Sequence, residues 1–296
     1  MVKIMKLFDR VTEAQVGAAI AIGFLLYNLV FWAYPFLWLA ILSLSDWRFF
    51  GTPSYAGLDN LFFILQDPEF WNSMWNVARF LLLYIPIVLT CSLAFAFGLQ
   101  FIGRGKAFIA LCFLLANISS GVAYSLVFTK IYSSTGPLNS FLFEYFGFKI
   151  PWLTSPTFAM LAITLVVTWK FVGYYGLILY SGLLAIPKEI YDAATLDNAS
   201  GFKRLFKITL PMLNAQIIMV LVFAITVGFG IFTEPFMMTG GGPLDSTNMP
   251  QIVMYETAFK RLEPSRAALM AIIIATASYL LIKLVRKIFE KNVEIV

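Results

Sequence analysis

Two charged residues lie inside apolar stretches of this sequence, Lys170 in TLVVTWKFVGYYGLIL and Glu234 in GFGIFTEPFMMTGGGP. A charge within a membrane-spanning helix costs about 2.5–3.5 kcal/mol on insertion scales, so such a side chain usually faces a cavity or a partner. Two interpretations stay open at this point. The charges pair with each other, pair with another subunit or reach the interface as structural charges, or they line a path for a polar solute.

The sequence lacks the residue types and motifs that most catalytic chemistry requires. The 296 residues include no His, which removes His-based acid–base catalysis and His-ligated metal sites. Cys91 and Cys112 fall in apolar stretches without a CxxC motif, and we predict that both are small core residues. The phosphate-binding motif GxxxxGK[ST] is absent, because IGRGKAF lacks its second Gly and its Ser or Thr. We therefore expect a chain that is not an enzyme and does not hydrolyse ATP.

Composition predicts the class of fold that positions these residues. The chain is 60% hydrophobic and 12% charged, with a mean hydropathy of +0.83. A soluble domain carries about 25% charged residues, so this chain has too few charges to solvate a water-exposed surface. The sequence therefore predicts an all-α polytopic membrane protein, in which many of the 30 Phe and seven Trp face lipid or its interface.

Six apolar segments predict six transmembrane helices. The first is longer than a span requires, and we expect it to tilt or bend near Pro35. It is also too long for a signal peptide and is expected to be a retained helix. The aromatic loop that follows is predicted to contain a short helix at the membrane interface. The predicted spans are 14–45, 74–101, 107–129, 157–186, 212–238 and 267–282.

The distribution of Lys and Arg predicts the orientation of these spans. If both termini are cytoplasmic, 13 of the 21 basic residues lie in cytoplasmic segments and six lie in outside loops. That asymmetry follows the positive-inside rule. We therefore expect a cytoplasmic N-terminal segment at 1–13, a membrane domain at 14–288 and a cytoplasmic C-terminal tail at 289–296.

The most polar stretch between two apolar segments is DAATLDNASGFKRLFKITLPML, which begins at Asp192 and carries five charges. Its pattern predicts two short helices joined by a turn. Pro187 suits the first turn of one helix, and Asn198 tolerates a positive φ better than most residues. In the expected orientation this segment is cytoplasmic, where a small helical projection suits docking into a groove of another protein.

The spacing of this stretch resembles the EAA loop of ABC importer permeases, which reads E-A-A, three residues, G, nine residues and I-x-L-P. Here Asp192, Asn198 and Pro211 stand at the matching positions, with Asp in place of Glu and Asn in place of Gly. Further segments are similar to the sugar-permease branch, the maltose and glycerol-phosphate type. They are Tyr34-Pro35, AGLDNLFFILQDPEFWNSMWN, RGKA, GPLNSFL, SGLLAIPKEIYDAA and TGGGPLDSTNMPQIVMYETAF.

The resemblance implies a type I ABC importer permease fold with a coupling helix in the loop at about 187–211. It implies a second, different permease chain, an ATPase dimer that carries ATP and Mg, an extracytoplasmic solute-binding protein and membrane lipid as partners, with no nucleic acid. It places the chain in a bacterial or archaeal cytoplasmic membrane, with no cofactor or metal of its own. The residues implied to couple to the ATPase are Asp192, Ala193, Ala194, Leu196, Asn198, Gly201, Phe202 and Leu205.

The same resemblance and the two charges within spans suggest a solute path for a sugar or sugar-like compound. A cation at Lys170 would favour an anionic solute. The glycines of TGGGP predict a tight outer loop that either packs or contacts the binding protein. A secondary transporter or channel for a small polar solute is the alternative function, although no inverted repeat is evident. The expected path residues are Asn117, Gly121, Lys170, Phe171, Tyr174, Tyr175, Gly228, Ile231 and Glu234.

Overall fold

The computed structural model describes residues 13–289, which are helical apart from one short hairpin and connecting loops. The predicted terminal segments, 1–13 and 289–296, lie almost entirely outside the described residues. The strands are β1 (Ser45–Asp46) and β2 (Ser54–Tyr55). The helices are α1 (Glu13–Asn28), α2 (Tyr34–Ser43), α3 (Asp59–Leu65), α4 (Pro68–Phe101), α5 (Lys106–Ile118), α6 (Gly121–Tyr132), α7 (Pro137–Phe146), α8 (Pro156–Ala185), α9 (Lys188–Leu196), α10 (Gly201–Arg204), α11 (Leu210–Met212), α12 (Asn214–Gly230), α13 (Thr233–Met238), α14 (Pro250–Tyr255) and α15 (Pro264–Phe289). Three π-helical turns directly follow α1, α10 and α14, at Leu29–Ala33, Leu205–Thr209 and Glu256–Lys260.

The all-α fold class is confirmed, and the number of spans depends on how two bent helix pairs are counted. Within residues 13–289, four helical stretches are long and apolar enough to cross a membrane, or up to six if each bent pair is one span. The first bent pair joins α5 to the stretch Gly121–Phe146 at 97°. The second joins Gly201–Met212 to α12 at 69°. The expected six spans therefore agree with the structure only if each bent pair is counted as one span.

The third predicted span, 107–129, is wrong as a single helix. Helix α5 ends at Ile118, Ser119 and Ser120 have extended ψ values of 144° and 126°, and α6 begins at Gly121. The Ser119 hydroxyl donates to the Leu115 carbonyl at 2.9 Å. Serine side chains compete with the helical backbone for hydrogen bonds and glycine is a poor helix former, which explains a break at this point.

The fifth predicted span, 212–238, is also wrong as a single helix. Helix α12 ends at Gly230, Ile231 is extended with ψ 124°, and α13 begins at Thr233. Pro235 has no N–H with which to bond the Ile231 carbonyl, so a continuous helix would lose a hydrogen bond and clash there. A fresh helix start two residues earlier places the proline in a first turn, where it is tolerated.

Residues 13–66 and 257–272 form one compact unit, and residues 67–256 and 273–289 belong to a second. In the first unit, a π-helical turn at Leu29–Ala33 immediately precedes the Tyr34-Pro35 pair, where we expected the first span to deviate. The expected short helix in the aromatic loop is α3. Its buried Asn60 donates to the carbonyls of Ser43 at 3.0 Å and Ser45 at 2.8 Å. The position of α3 at the membrane interface stays a prediction.

In the second unit, glycines allow α8 to pack closely against neighbouring helices. A Cβ at Gly173 would lie 2.7 Å from the Phe113 backbone in α5, and one at Gly176 would lie 2.4 Å from the Phe95 ring in α4. A Cβ at Gly182 would similarly meet side chains at the start of α12. Small residues permit such close approach where lipid supplies no hydrophobic drive for association. Helix α8 is accordingly the most buried of the four long apolar stretches.

The two cysteines are not core residues, and that prediction is wrong. Both Cys91 in α4 and Cys112 in α5 are exposed on the surface of this chain. An apolar helix face has no need to be buried in its own chain when a bilayer or a partner helix solvates it. Apolar surroundings in the sequence therefore do not distinguish core from lipid-facing positions here.

Candidate functional site

Three polar side chains meet among α6, α8 and α13. Lys170, at the middle of α8, places its Nζ 3.4 Å from Glu234 Oε1 and 2.9 Å from the Tyr124 hydroxyl. The Tyr124 hydroxyl donates to the same oxygen of Glu234. Glu234 is only 5% exposed, whereas the Lys170 side chain is 20% exposed. The structure therefore has the two in-span charges paired with each other, and we refer to these three residues as the charge cluster.

The two helix breaks bring this cluster together. Gly121, the first residue of α6, lies so close to α13 that a Cβ there would be 3.0 Å from Thr233 Cγ2. The starts of α6 and α13 therefore touch, and Tyr124 and Glu234 follow within the first turn of their helices. Unbroken helices would carry these side chains elsewhere. Helices broken within the membrane are typical of transporter sites, because irregular backbone there lines a cavity or is buried in protein.

The charge cluster is electrically balanced. The Lys170 ammonium also lies 5.1 Å from the Tyr124 ring centroid and 5.4 Å from that of Phe171, within the range of cation–π attraction. Trp169 packs edge-on against Tyr124 at 5.8 Å. One ammonium and one carboxylate leave no net charge, so the cluster offers an anionic solute little attraction. The cation expected at Lys170 is therefore already neutralised in this conformation.

The other expected path residues divide by exposure. Tyr174 is 36% exposed and Asn117 is half-buried, so both retain surface that a solute can reach. Tyr175 has no exposed surface, and Ile231 is 4% exposed. Gly228 is packed so tightly that a Cβ would lie 2.4 Å from Leu81. The role of these five residues in a solute path stays a prediction, and three of them are inaccessible in this conformation.

Tyr124 is the member of the cluster that the sequence analysis missed. A buried ion pair is stabilising only when further hydrogen bonds satisfy its remaining polar atoms, so a third partner could be expected near Lys170 and Glu234. The chain has 13 Tyr, and their apolar surroundings do not reveal which one faces the pair. The run NISSG just before Tyr124 was the available signal, because it marks the break that positions the ring.

The polar stretch forms two helical pieces joined by a turn, as predicted. Helix α9 ends at Leu196, and a second helical run extends from Gly201 to Met212. Asn198 has a positive φ of 51°, and its N–H donates to the Thr195 carbonyl at 3.0 Å. The spacing and the tolerance of Asn for this conformation therefore predict the turn correctly. Pro187 stands just before α9 rather than within its first turn.

The eight expected coupling residues mostly present their side chains outward. Leu196 is 84% exposed and Phe202 is 79% exposed, and Phe202 stacks on Phe206 at 6.2 Å. Leu205 is half-buried, and Ala194 is 6% exposed. Exposed apolar side chains on a polar projection are typical of a docking surface. The remaining exposed members are Asp192, Ala193, Asn198 and Gly201.

The TGGGP segment is a tight loop held against α4. Gly240 and Gly241 have positive φ values of 61° and 87°, which confirms the unusual backbone expected of them. Buried Asn76 of α4 donates to the carbonyls of Asp245 at 2.7 Å and Asn248 at 3.0 Å. These bonds agree with the packing interpretation of the loop. Contact with a binding protein stays a prediction.

Comparison with known proteins extends over nearly the whole chain. A family model described as binding-protein-dependent transport system inner membrane component matches residues 14–295. The sulfoquinovosyl glycerol transport system permease protein SmoG of Agrobacterium fabrum is 31% identical over 77% of this chain and 75% of its own. The lactose transport system permease protein LacF of Rhizobium radiobacter is 31% identical over 86% of this chain and 85% of its own.

A solved structure shares the fold. It is described as a bacterial ABC transporter involved in the import of the acidic polysaccharide alginate, and it superposes with a TM-score of 0.81. The superposition covers 98% of this chain and 100% of that chain, at 16% sequence identity. The fold as a whole is therefore a known architecture.

Proposed function

The chain belongs to the family of binding-protein-dependent transport system inner membrane components, and we propose that it is one permease subunit of an ABC importer for a sugar or sugar-like solute. The observation that carries this proposal is the family match over residues 14–295, which includes every predicted span. The names of the two similar permeases, which belong to transport systems for lactose and for sulfoquinovosyl glycerol, support the solute class. The alternative of a secondary transporter or channel has no comparable support.

We further propose that the exposed turn between α9 and α10 docks into an ATPase subunit, which binds ATP and Mg. The exposed Leu196 and Phe202 support this role, because they offer apolar surface to a groove. Internal bonds stiffen the turn: Arg204 Nε donates to the Ala199 carbonyl at 2.9 Å, and the Tyr191 and Thr209 hydroxyls lie 3.1 Å apart. Closure of an ATPase dimer would move such a stiff segment as a unit and so reorient the helices attached to it.

We propose that the solute is an uncharged saccharide, and the balanced charge cluster alone supports this, since the solved structure with the same fold belongs to an importer of an acidic polysaccharide. Lys170 and Glu234 neutralise each other, and the exposed Tyr174 ring nearby can stack against the CH faces of a sugar. An importer for a uronate or a phosphorylated polyol would gain from an uncompensated cation instead. A second, different permease chain would complete the path, and an extracytoplasmic binding protein would deliver the solute. The positive-inside asymmetry supports cytoplasmic termini.

Affinity purification from the native host tests the proposed assembly. The tagged chain should recover an ATPase and a second permease, and Phe202→Ala should release the ATPase while retaining the permease. Recovery of the chain alone, with solute uptake that does not depend on ATP, would contradict the proposal. The solute class is tested separately, by titrating the partner binding protein with lactose and with galacturonate. Preference for galacturonate would refute the uncharged-solute proposal and leave the assembly untouched.

A further inference from the structure

A groove of about 420 Å³ lies between the first halves of α4 and α8. Apolar side chains dominate its wall, among them Leu82 and Leu83 of α4 and Met160 of α8. Three polar residues also line it: Arg79, Thr157 and Ser246. None of these residues belongs to the expected solute path or to the turn between α9 and α10, so the proposed function leaves the groove without a role.

The position of Arg79 along α4 coincides with the edge of the hydrocarbon core. The 22 residues from Phe80 to Phe101 contain no charge and span about 33 Å at 1.5 Å per residue. This length matches the ~30 Å thickness of the hydrocarbon core of a bilayer. When these residues fill the core, Arg79 lies at the depth of the lipid headgroups.

The residues one turn to either side of Arg79 fit this depth. Trp75 precedes it by one turn, is 54% exposed, and has its ring centroid 5.6 Å from the guanidinium carbon. Tryptophan is enriched at the membrane interface, where its ring lies at headgroup level. Leu82 and Leu83 follow three and four residues later on the same helical face, one turn deeper in the membrane. An aromatic residue, a cation and an apolar groove therefore succeed one another from water towards the hydrocarbon core.

Arg79 has no acidic partner in the described part of the chain. Its side chain is exposed, and among residues 13–289 no carboxylate forms an ion pair with it. A guanidinium forms strong, charge-assisted hydrogen bonds with phosphate oxygens. At headgroup depth, Arg79 is therefore positioned to bind a lipid phosphate.

We propose that this groove binds a phospholipid. The lipid phosphate accepts hydrogen bonds from the exposed Arg79 guanidinium, and one acyl chain lies along Leu82, Leu83 and Met160. The Arg79 cation at headgroup depth complements a phosphate, and the apolar groove directly below it complements an acyl chain. This combination favours a lipid over a protein partner. The inference requires only that the chain spans a membrane, whatever solute it transports.

Lipid titration of the purified transporter tests this site. The tagged chain, purified in detergent with its associated subunits and stripped of lipid, is titrated with palmitoyl-oleoyl phosphatidylglycerol or with palmitoyl-oleoyl glycerol, and bound lipid is counted by native mass spectrometry. We expect one phosphatidylglycerol site to weaken about five- to tenfold in Arg79→Gln, because one charged contact is lost. Binding of the glycerol lipid, which lacks a phosphate, should be insensitive to this change.

Two further variants keep the test decisive. Lys130→Gln removes an exposed cation at the end of α6, outside the groove, and should leave phosphatidylglycerol binding unchanged. Thr157→Trp fills the groove from its rim and should remove the site while Arg79 is intact. Equal phosphatidylglycerol affinity in wild type and Arg79→Gln would overturn the proposal. So would loss of the second permease from Arg79→Gln without any change in lipid binding, because a protein would then cover the groove.

Discussion

Breaking the charge cluster should destabilise the transporter far more when one charge is removed than when both are. At the observed 3.4 Å separation of Lys170 Nζ and Glu234 Oε1, the Coulomb attraction is about 5 kcal/mol for an effective dielectric constant of ~20. Desolvation offsets much of this attraction, but an unpartnered buried charge loses the attraction and keeps the penalty. Removing one partner of a buried pair costs about 3–5 kcal/mol. Since Lys170 is 20% exposed and solvent screens it, we expect about 3 kcal/mol.

A double-mutant cycle on the purified transporter measures this coupling by thermal unfolding. Lys170→Met and Glu234→Gln alone should each lower Tm by roughly 5–10 °C, as about 3 kcal/mol does in a domain of this size. The double variant should recover most of the loss, because no unpaired charge remains. The matched control is Arg48→Gln at the exposed Asp46–Arg48 pair, 4.0 Å apart, which should leave Tm unchanged. If the Tm of the double variant falls by the sum of the two single decreases, the two charges are not coupled and the interpretation of the cluster is wrong.

Three smaller predictions follow from the packing and the turn. Gly173→Ala should lower Tm by several degrees, because its Cβ would lie 2.7 Å from the Phe113 backbone, whereas Gly98→Ala, with no atom within 4 Å, should leave Tm unchanged or slightly raised. Asn198→Val should reduce solute-stimulated ATP hydrolysis by the assembled transporter, because a β-branched residue is strained at φ 51°. Asn198→Gly should preserve this activity. Equal activities of the two variants would contradict the prediction. Phe202→Ala should lower the amount of ATPase that co-purifies at least tenfold. The Tm of the detergent-solubilised chain should not shift, because the Phe202 side chain is 79% exposed. Unchanged co-purification would refute its docking role.

The approximate positions of the long apolar helical segments could be predicted, but their internal breaks could not. Hydropathy located four long apolar helices and two bent helix pairs, because a span must present about 20 apolar residues to lipid. Hydropathy averaged over about 20 residues changes little when two or three residues leave the helix. The breaks at Ser119–Ser120 and Ile231–Phe232 were therefore missed. Both breaks coincide with local chemistry that opposes a helix, serines followed by a glycine in one case and a proline in the other.

Local features of the candidate sites were predictable, and contacts between distant segments were not. The turn at Asn198 depends on residue type and spacing within a few positions, and the structure has it where it was expected. The charges at Lys170 and Glu234 were evident from their apolar surroundings, but their pairing depends on how α8 packs against α13. Tyr124 was missed for the same reason, because its contact with Lys170 joins residues 46 positions apart. Exposed Cys91 and Cys112 show that apolar sequence alone does not separate core from lipid-facing surface.

Solute uptake by proteoliposomes is the most direct test of the proposed importer. The chain would be reconstituted with its co-purifying permease and ATPase, with ATP inside and labelled sugar with the partner binding protein outside. Uptake should require ATP and all four proteins: the two permeases, the ATPase and the binding protein. It should fall to background when Asp192→Lys, Leu196→Ala and Phe202→Ala are combined in the segment formed by α9, α10 and the turn between them. Uptake that continues without ATP or without the binding protein, at the rate of the complete system, would contradict the account.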